Sequence, residues 1–131
     1  QSLFHGCLLL ENINSKNIDT SQVTDMSYMF YNCKKLSNID IKHFKTINVK
    51  NFEGMFQNME SLLSLDLTSS NFVTRNAQIM KGMFKNCTKL EQLNKNSWNT
   101  KNVLDMSSMF ENCEMLQSLE ISEFNTTPVK I

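Results

Sequence analysis

The stretch Val23-Thr24-Asp25-Met26-Ser27-Tyr28-Met29-Phe30-Tyr31-Asn32-Cys33-Lys34-Lys35-Leu36-Ser37-Asn38-Ile39-Asp40-Ile41 decides the fold. Its first half carries apolar residues at steps of three and four: Val23, Met26, Met29, Phe30, Cys33 and Leu36. That spacing predicts one face of a short helix. Its second half changes period. Between Ile39 and Ile41 the step is two, which predicts an extended segment with alternate side chains turned inward.

The same string recurs along the chain. Met-Phe stands at Met29-Phe30, Met55-Phe56, Met83-Phe84 and Met109-Phe110, and Leu3-Phe4 precedes them in phase. Three residues after each Phe comes Cys7, Cys33, Met59, Cys87 or Cys113. A second apolar column reads Ile18, Phe44, Phe72, Trp98 and Phe124. An unbroken threonine column follows it: Thr20, Thr46, Thr74, Thr100 and Thr126. A period of about 26 residues is the signature of repeats that bury their apolar faces only by stacking. The chain therefore reads as one domain over 1–131. Partial repeats cover 1–17 and 124–131, and full repeats cover 18–43, 44–71, 72–97 and 98–123. The longer copy has its excess in Thr68-Ser69-Ser70-Asn71, which marks a surface loop. In the fourth copy Lys95 replaces the last apolar residue, so its strand is expected to end early. Starting at Gln1 and stopping within a repeat, the chain is expected to be a fragment of a longer array.

A helix must give way to a strand in each copy with only three Gly and one Pro in 131 residues. The residue before each Cys or Met59 is Gly6, Asn32, Asn58, Asn86 or Asn112. Gly and Asn enter the left-handed conformation most readily, so this column is expected to close the helices. An asparagine ligand row is the weaker reading, because Gly6 stands in the same column.

The recurring Leu-x-x-Leu-x-Leu resembles a leucine-rich repeat. The fuller string from Asp19 to Cys33 closely resembles the BspA-like repeats of bacterial surface proteins and mycoplasma lipoproteins, a family long filed as a domain of unknown function. The resemblance covers essentially the whole chain. It implies an α/β fold, a right-handed leucine-rich-repeat-like solenoid with one short helix and one short parallel strand per rung. It also implies display on a bacterial cell surface, often linked to adhesion, with any signal or anchor outside this segment. It implies no catalytic residues.

Composition excludes several classes. Thirteen Lys+Arg balance thirteen Asp+Glu, so the basic excess of a nucleic-acid-binding domain is missing. The longest purely apolar run, Cys7 to Leu10, is far shorter than the ~20 residues of a membrane span. The four Cys have no Cys-x-x-Cys pattern and no nearby His pair, so no metal site is expected. Cys7/Cys33 and Cys87/Cys113 fall on adjacent rungs, where a bridge is geometrically possible. Buried free thiols are the preferred reading, because Met59 holds the same column. The two histidines, His5 and His43, occupy different repeat positions, and no nucleophile or phosphate-binding motif is present. Neither an enzyme nor a cofactor is expected.

What remains is a surface. Outward strand positions form rows across rungs, and the candidate binding face comprises Asp40, Lys42, Leu63, Asp66, Thr68, Asn94, Asn96 and Glu120. Leu63 stands out as apolar in a row of Glu11, Ser37, Glu91 and Gln117. The expected partner is a protein, such as a host or matrix protein, or a glycan. The alternative is a spacer with no ligand of its own. The aromatic and threonine columns read better as internal packing and backbone bonding than as a sugar platform or a hydroxyl-lined edge.

Overall fold

The computed structural model describes residues 4–96, 98–119 and 124. Among them are four strands: β1 (Asn12–Asn14), β2 (Asn38–Asp40), β3 (Ser64–Leu67) and β4 (Gln92–Lys95). β1 pairs with β2 in parallel, with Ile13 opposite Ile39. β3 pairs with β4 in parallel, with Leu65 opposite Leu93 and Leu67 opposite Lys95. The pairs form two separate two-stranded sheets. Parallel bridges elsewhere join Asp25 to Asn51, Asn51 to Ile79 and Ile79 to Asp105.

The expected α/β solenoid with one helix per rung is overturned, because no described residue is helical. The segments expected to be helical are runs of tight turns. Met29 N–H donates to the Met26 carbonyl, Cys33 to Phe30 and Leu36 to Cys33, all three residues back. Tyr31 N–H donates likewise to the Tyr28 carbonyl, and the alternate N–H groups from Met26 to Asn32 turn outward. Met26, Tyr28, Phe30 and Asn32 donate to the carbonyls of Asn51, Glu53, Met55 and Gln57 in the next repeat. An α-helix spends its N–H groups within itself. Here every second one from Met26 to Asn32 is spent on the neighbouring rung, and those of Met29, Tyr31 and Cys33 close overlapping turns. That produces the apolar spacing of a helix without its hydrogen bonds.

Backbone conformation explains why a helix cannot form. Each repeat places two residues four apart at positive φ. The first column is Tyr28, Gly54, Gly82 and Ser108, at φ 54 to 56°. The second is Asn32, Asn58, Asn86 and Asn112, at φ 59 to 62°, joined by Gly6 at 70°. A left-handed residue breaks a right-handed helix, and two within five residues leave no room for one. The Gly6 and Asn column therefore turns the chain, but the helix it was expected to close is not there.

The core is a set of ladders along the stacking direction. Phe30 is stacked with Phe4 at 5.3 Å and with Phe56 at 5.7 Å. Phe84 is stacked with Phe56 at 5.3 Å and with Phe110 at 5.4 Å. Phe30, Phe56 and Phe84 are fully buried, and so are Met26, Met55, Met83, Leu36, Leu62 and Leu90 or nearly so. Ring stacking adds about 0.5–1.5 kcal/mol per pair to the burial of each ring. The second aromatic column, Phe44, Phe72 and Trp98, is also inside.

Lys95 departs from expectation. Its strand does not end early: β4 runs to Lys95, as far as β3 runs to Leu67. The Lys95 ammonium lies over the rings of Trp98, 5.8 Å from the centroid, and Phe124, at 5.3 Å. The stem follows the apolar column while the charge meets the ring faces, which allows a lysine where its counterparts are Ile41 and Leu67.

Candidate binding surface at the strand edge

Polar columns are spent on stacking before any ligand is considered. Asn58 Nδ2 donates to Asn32 Oδ1 at 2.7 Å, Asn86 to Asn58 at 2.7 Å and Asn112 to Asn86 at 2.8 Å. This amide ladder uses the atoms that a ligand row would offer. A second asparagine column, Asn48, Asn76 and Asn102, donates to the carbonyls of Ser21, Ile47 and Arg75 one rung back. The Thr20, Thr46 and Thr74 hydroxyls are buried and bond the backbone of the next rung. Thr46 Oγ1 accepts from Val73 N–H and donates to the Val73 carbonyl, both at 2.7 Å.

The row Asn14, Asp40, Asp66 at the strand ends has a structural task as well. Asn14 Oδ1 accepts from Lys16 N–H at 2.9 Å, Asp40 Oδ1 from Lys42 N–H at 3.2 Å and Asp66 Oδ1 from Thr68 N–H at 2.9 Å. A side-chain oxygen that bonds the backbone two residues on closes a turn, and this ends each strand. Thr68 Oγ1 adds a bond to Asp66 Oδ1 at 2.7 Å. The Thr68 hydroxyl and N–H hold the Asp66 carboxyl below the usual value of 3.8. Lys42 does the same for Asp40, chiefly through its N–H, and its ammonium lies 3.1 Å from Asp40 Oδ2.

Two clefts lie along this row. The larger, about 650 Å³, is walled by Asp40, Lys42 and His43 on one side and by Asp66, Thr68 and the Ser69–Asn71 loop on the other. It opens where β2 and β3 belong to separate sheets. The loop closes its floor: Ser69 Oγ donates to the Lys42 carbonyl at 2.7 Å, and Asn71 Nδ2 to the same oxygen at 3.4 Å. The smaller cleft, about 370 Å³, lies between Asp66 and Thr68 on one side and Asn94, Lys95 and Ser118 on the other. Asp66 and Thr68 are common to both.

The family model described as "Mycoplasma protein of unknown function, DUF285" matches residues 1–124. The chain belongs to the DUF285 family. No curated protein and no solved structure matches it.

In this DUF285 chain the structure gathers Asp40, Lys42, Asp66, Thr68 and Asn94 at the two clefts. Asn96 adjoins them through a bond from its Nδ2 to the Thr68 carbonyl at 2.6 Å. Leu63 is half exposed but lines neither cleft. Glu120 lies outside the described residues. Sequence reasoning missed His43, the Ser69–Asn71 wall and Lys95. The two-residue excess at Thr68–Asn71 was the available signal, because an inserted loop beside one strand end makes a wall on one side only. Among the described residues no group of three His, Cys, Asp or Glu could hold a metal ion.

Proposed function

We propose that this chain is a non-enzymatic interaction module displayed on a bacterial cell surface, which holds a protein partner along the strand edge. The observation that carries the reading is the pair of adjoining clefts sharing Asp66 and Thr68. They offer a partner one continuous trough edged by carboxylate, amide and hydroxyl groups. The resemblance of the Asp19–Cys33 string to BspA-like surface repeats supports the location, as does the mycoplasma family. Zero net charge leaves recognition to this local pattern rather than to long-range steering.

A spacer without a ligand is the second reading. It is favoured by the asparagine and threonine columns, whose polar atoms bond the neighbouring rung. Immobilised chain exposed to extracellular-matrix proteins separates the two. Under the binding reading, Asp66→Lys abolishes capture and Leu63→Lys weakens it, while both variants stay folded and Asp66→Lys loses only the small stability of its turn bonds. Capture by none of the three, or equal capture by all, overturns the binding reading.

A further inference from the structure

We infer that the chain carries two dithiol sites, Cys7/Cys33 and Cys87/Cys113, each of which a small-molecule disulfide closes into a bridge between adjacent rungs. All four thiols are free in the structure. They stand in one column, whose middle place is taken by the fully buried Met59. The column has one repeated geometry. Cys33 Sγ donates to the Phe4 carbonyl at 3.0 Å, Cys87 Sγ to Phe56 at 3.1 Å and Cys113 Sγ to Phe84 at 3.1 Å. Each of these sulfurs therefore lies over the rung before it. The same Phe4 carbonyl accepts from the Cys7 N–H at 3.2 Å, so the Cys33 sulfur and the Cys7 backbone meet at one oxygen. The Phe84 carbonyl likewise accepts from the Cys87 N–H and from Cys113 Sγ, both at 3.1 Å, which places that sulfur beside Cys87. Beside each pair the rungs are bonded backbone to backbone, Gly6 N–H to the Tyr31 carbonyl and Asn86 N–H to the Glu111 carbonyl, both at 2.8 Å. Rungs bonded in this way lie about 4.8 Å apart, inside the ~4.4–6.8 Å Cα separation of a disulfide. Bridging each pair thus needs rotation of side chains, not movement of rungs.

The chemistry balances as two exchanges. The half-buried Cys7 thiolate attacks one sulfur of the oxidant, whose S–S bond breaks and releases one thiolate. Cys33 then attacks the Cys7 sulfur of the mixed disulfide and releases the second thiolate. The two cysteine protons end on the released thiolates. The protein loses two electrons and the oxidant gains them. At the other end the half-buried Cys113 attacks first and Cys87 resolves. Burial pushes the Cys113 thiol up to about 11 and Cys87 up to about 12, so thiolate is scarce there and closure is slow.

The test is incubation of the folded 131-residue chain with oxidised glutathione near pH 8.5, followed by acid quench and disulfide mapping by mass spectrometry. The expected product has Cys7–Cys33 and Cys87–Cys113 bridges, no glutathione adduct and a raised melting temperature. Cys33→Ser should trap glutathione on Cys7. Met59→Cys sets a thiol beside both Cys33 and Cys87 and should yield alternative bridges from position 59 to those neighbours in a fraction of the chains. Thiols that stay free in the folded chain, a stable adduct on Cys7 in the parent, or bridges between non-adjacent rungs would each overturn the inference.

Discussion

Along the turn ridge every rung bonds the next. Phe30 N–H reaches Met55, Phe56 reaches Met83 and Phe84 reaches Met109, all at 2.9 Å, and Phe4 reaches Met29 at 3.0 Å. Along the strand edge, among the described residues, the repeats pair two by two, β1 with β2 and β3 with β4. The difference lies in what each region buries. On the ridge the hydrogen bonds lie beside a stack of phenylalanine rings, and breaking one rung's alignment would unstack them. The strands are three or four residues long, with at most two inward side chains each. Continuity is held by the ridge, which leaves the strand edge free to part at one place and form the larger cleft.

The largest effect that would test this contrast is Phe56→Ala. It removes the middle of the ring stack and should cost about 3–5 kcal/mol in chemical denaturation. A cost below about 1 kcal/mol would place the stabilising continuity elsewhere. Next comes Asn58→Ala, which forces alanine to φ 62° and breaks the amide ladder on both sides. About 2 kcal/mol is expected, and Asn58→Gly should lose less, because it keeps the conformation and forfeits only the ladder. Gly54→Ala belongs in the same range of about 1–3 kcal/mol. A Cβ there would lie 2.5 Å from the Tyr28 ring.

The strand edge should respond far less. Leu63→Lys, at a side chain that is 51% exposed, should leave the unfolding midpoint within about 0.5 kcal/mol of the parent. The smallest effect concerns Asp66. Its folded pKa lies below its unfolded value of 3.8, so its contribution is present above that value and is lost as pH falls through the folded one. The carboxylate is exposed, so Asp66→Ala should cost roughly 0.5 kcal/mol at pH 7. Below the folded pKa that difference should vanish in thermal melts.

Legibility followed the kind of signal. The columns were readable because one side chain per rung meets its equivalent in the next, as Phe30 meets Phe56 and Asn32 meets Asn58. The helix was misread because successive three-residue turns and an α-helix space apolar residues alike. The clue was Gly54 and Gly82, two of the three glycines, which share a column with Tyr28 and Ser108 in the middle of the supposed helix. A glycine recurring there argues for a left-handed residue rather than for a helix interior. Half of the candidate face was legible as a row of outward polar positions. The larger cleft was not, because it depends on where β2 and β3 fail to pair.

By itself the sequence determined the repeat length, the composition of each column and the side chains that meet from rung to rung, since those follow from periodicity. Tertiary structure alone decided where the backbone N–H groups go. Residue pattern cannot say whether a donor turns back on its own turn or across to the next rung. Here alternate donors cross over, and that choice replaced the helix with a ridge of turns.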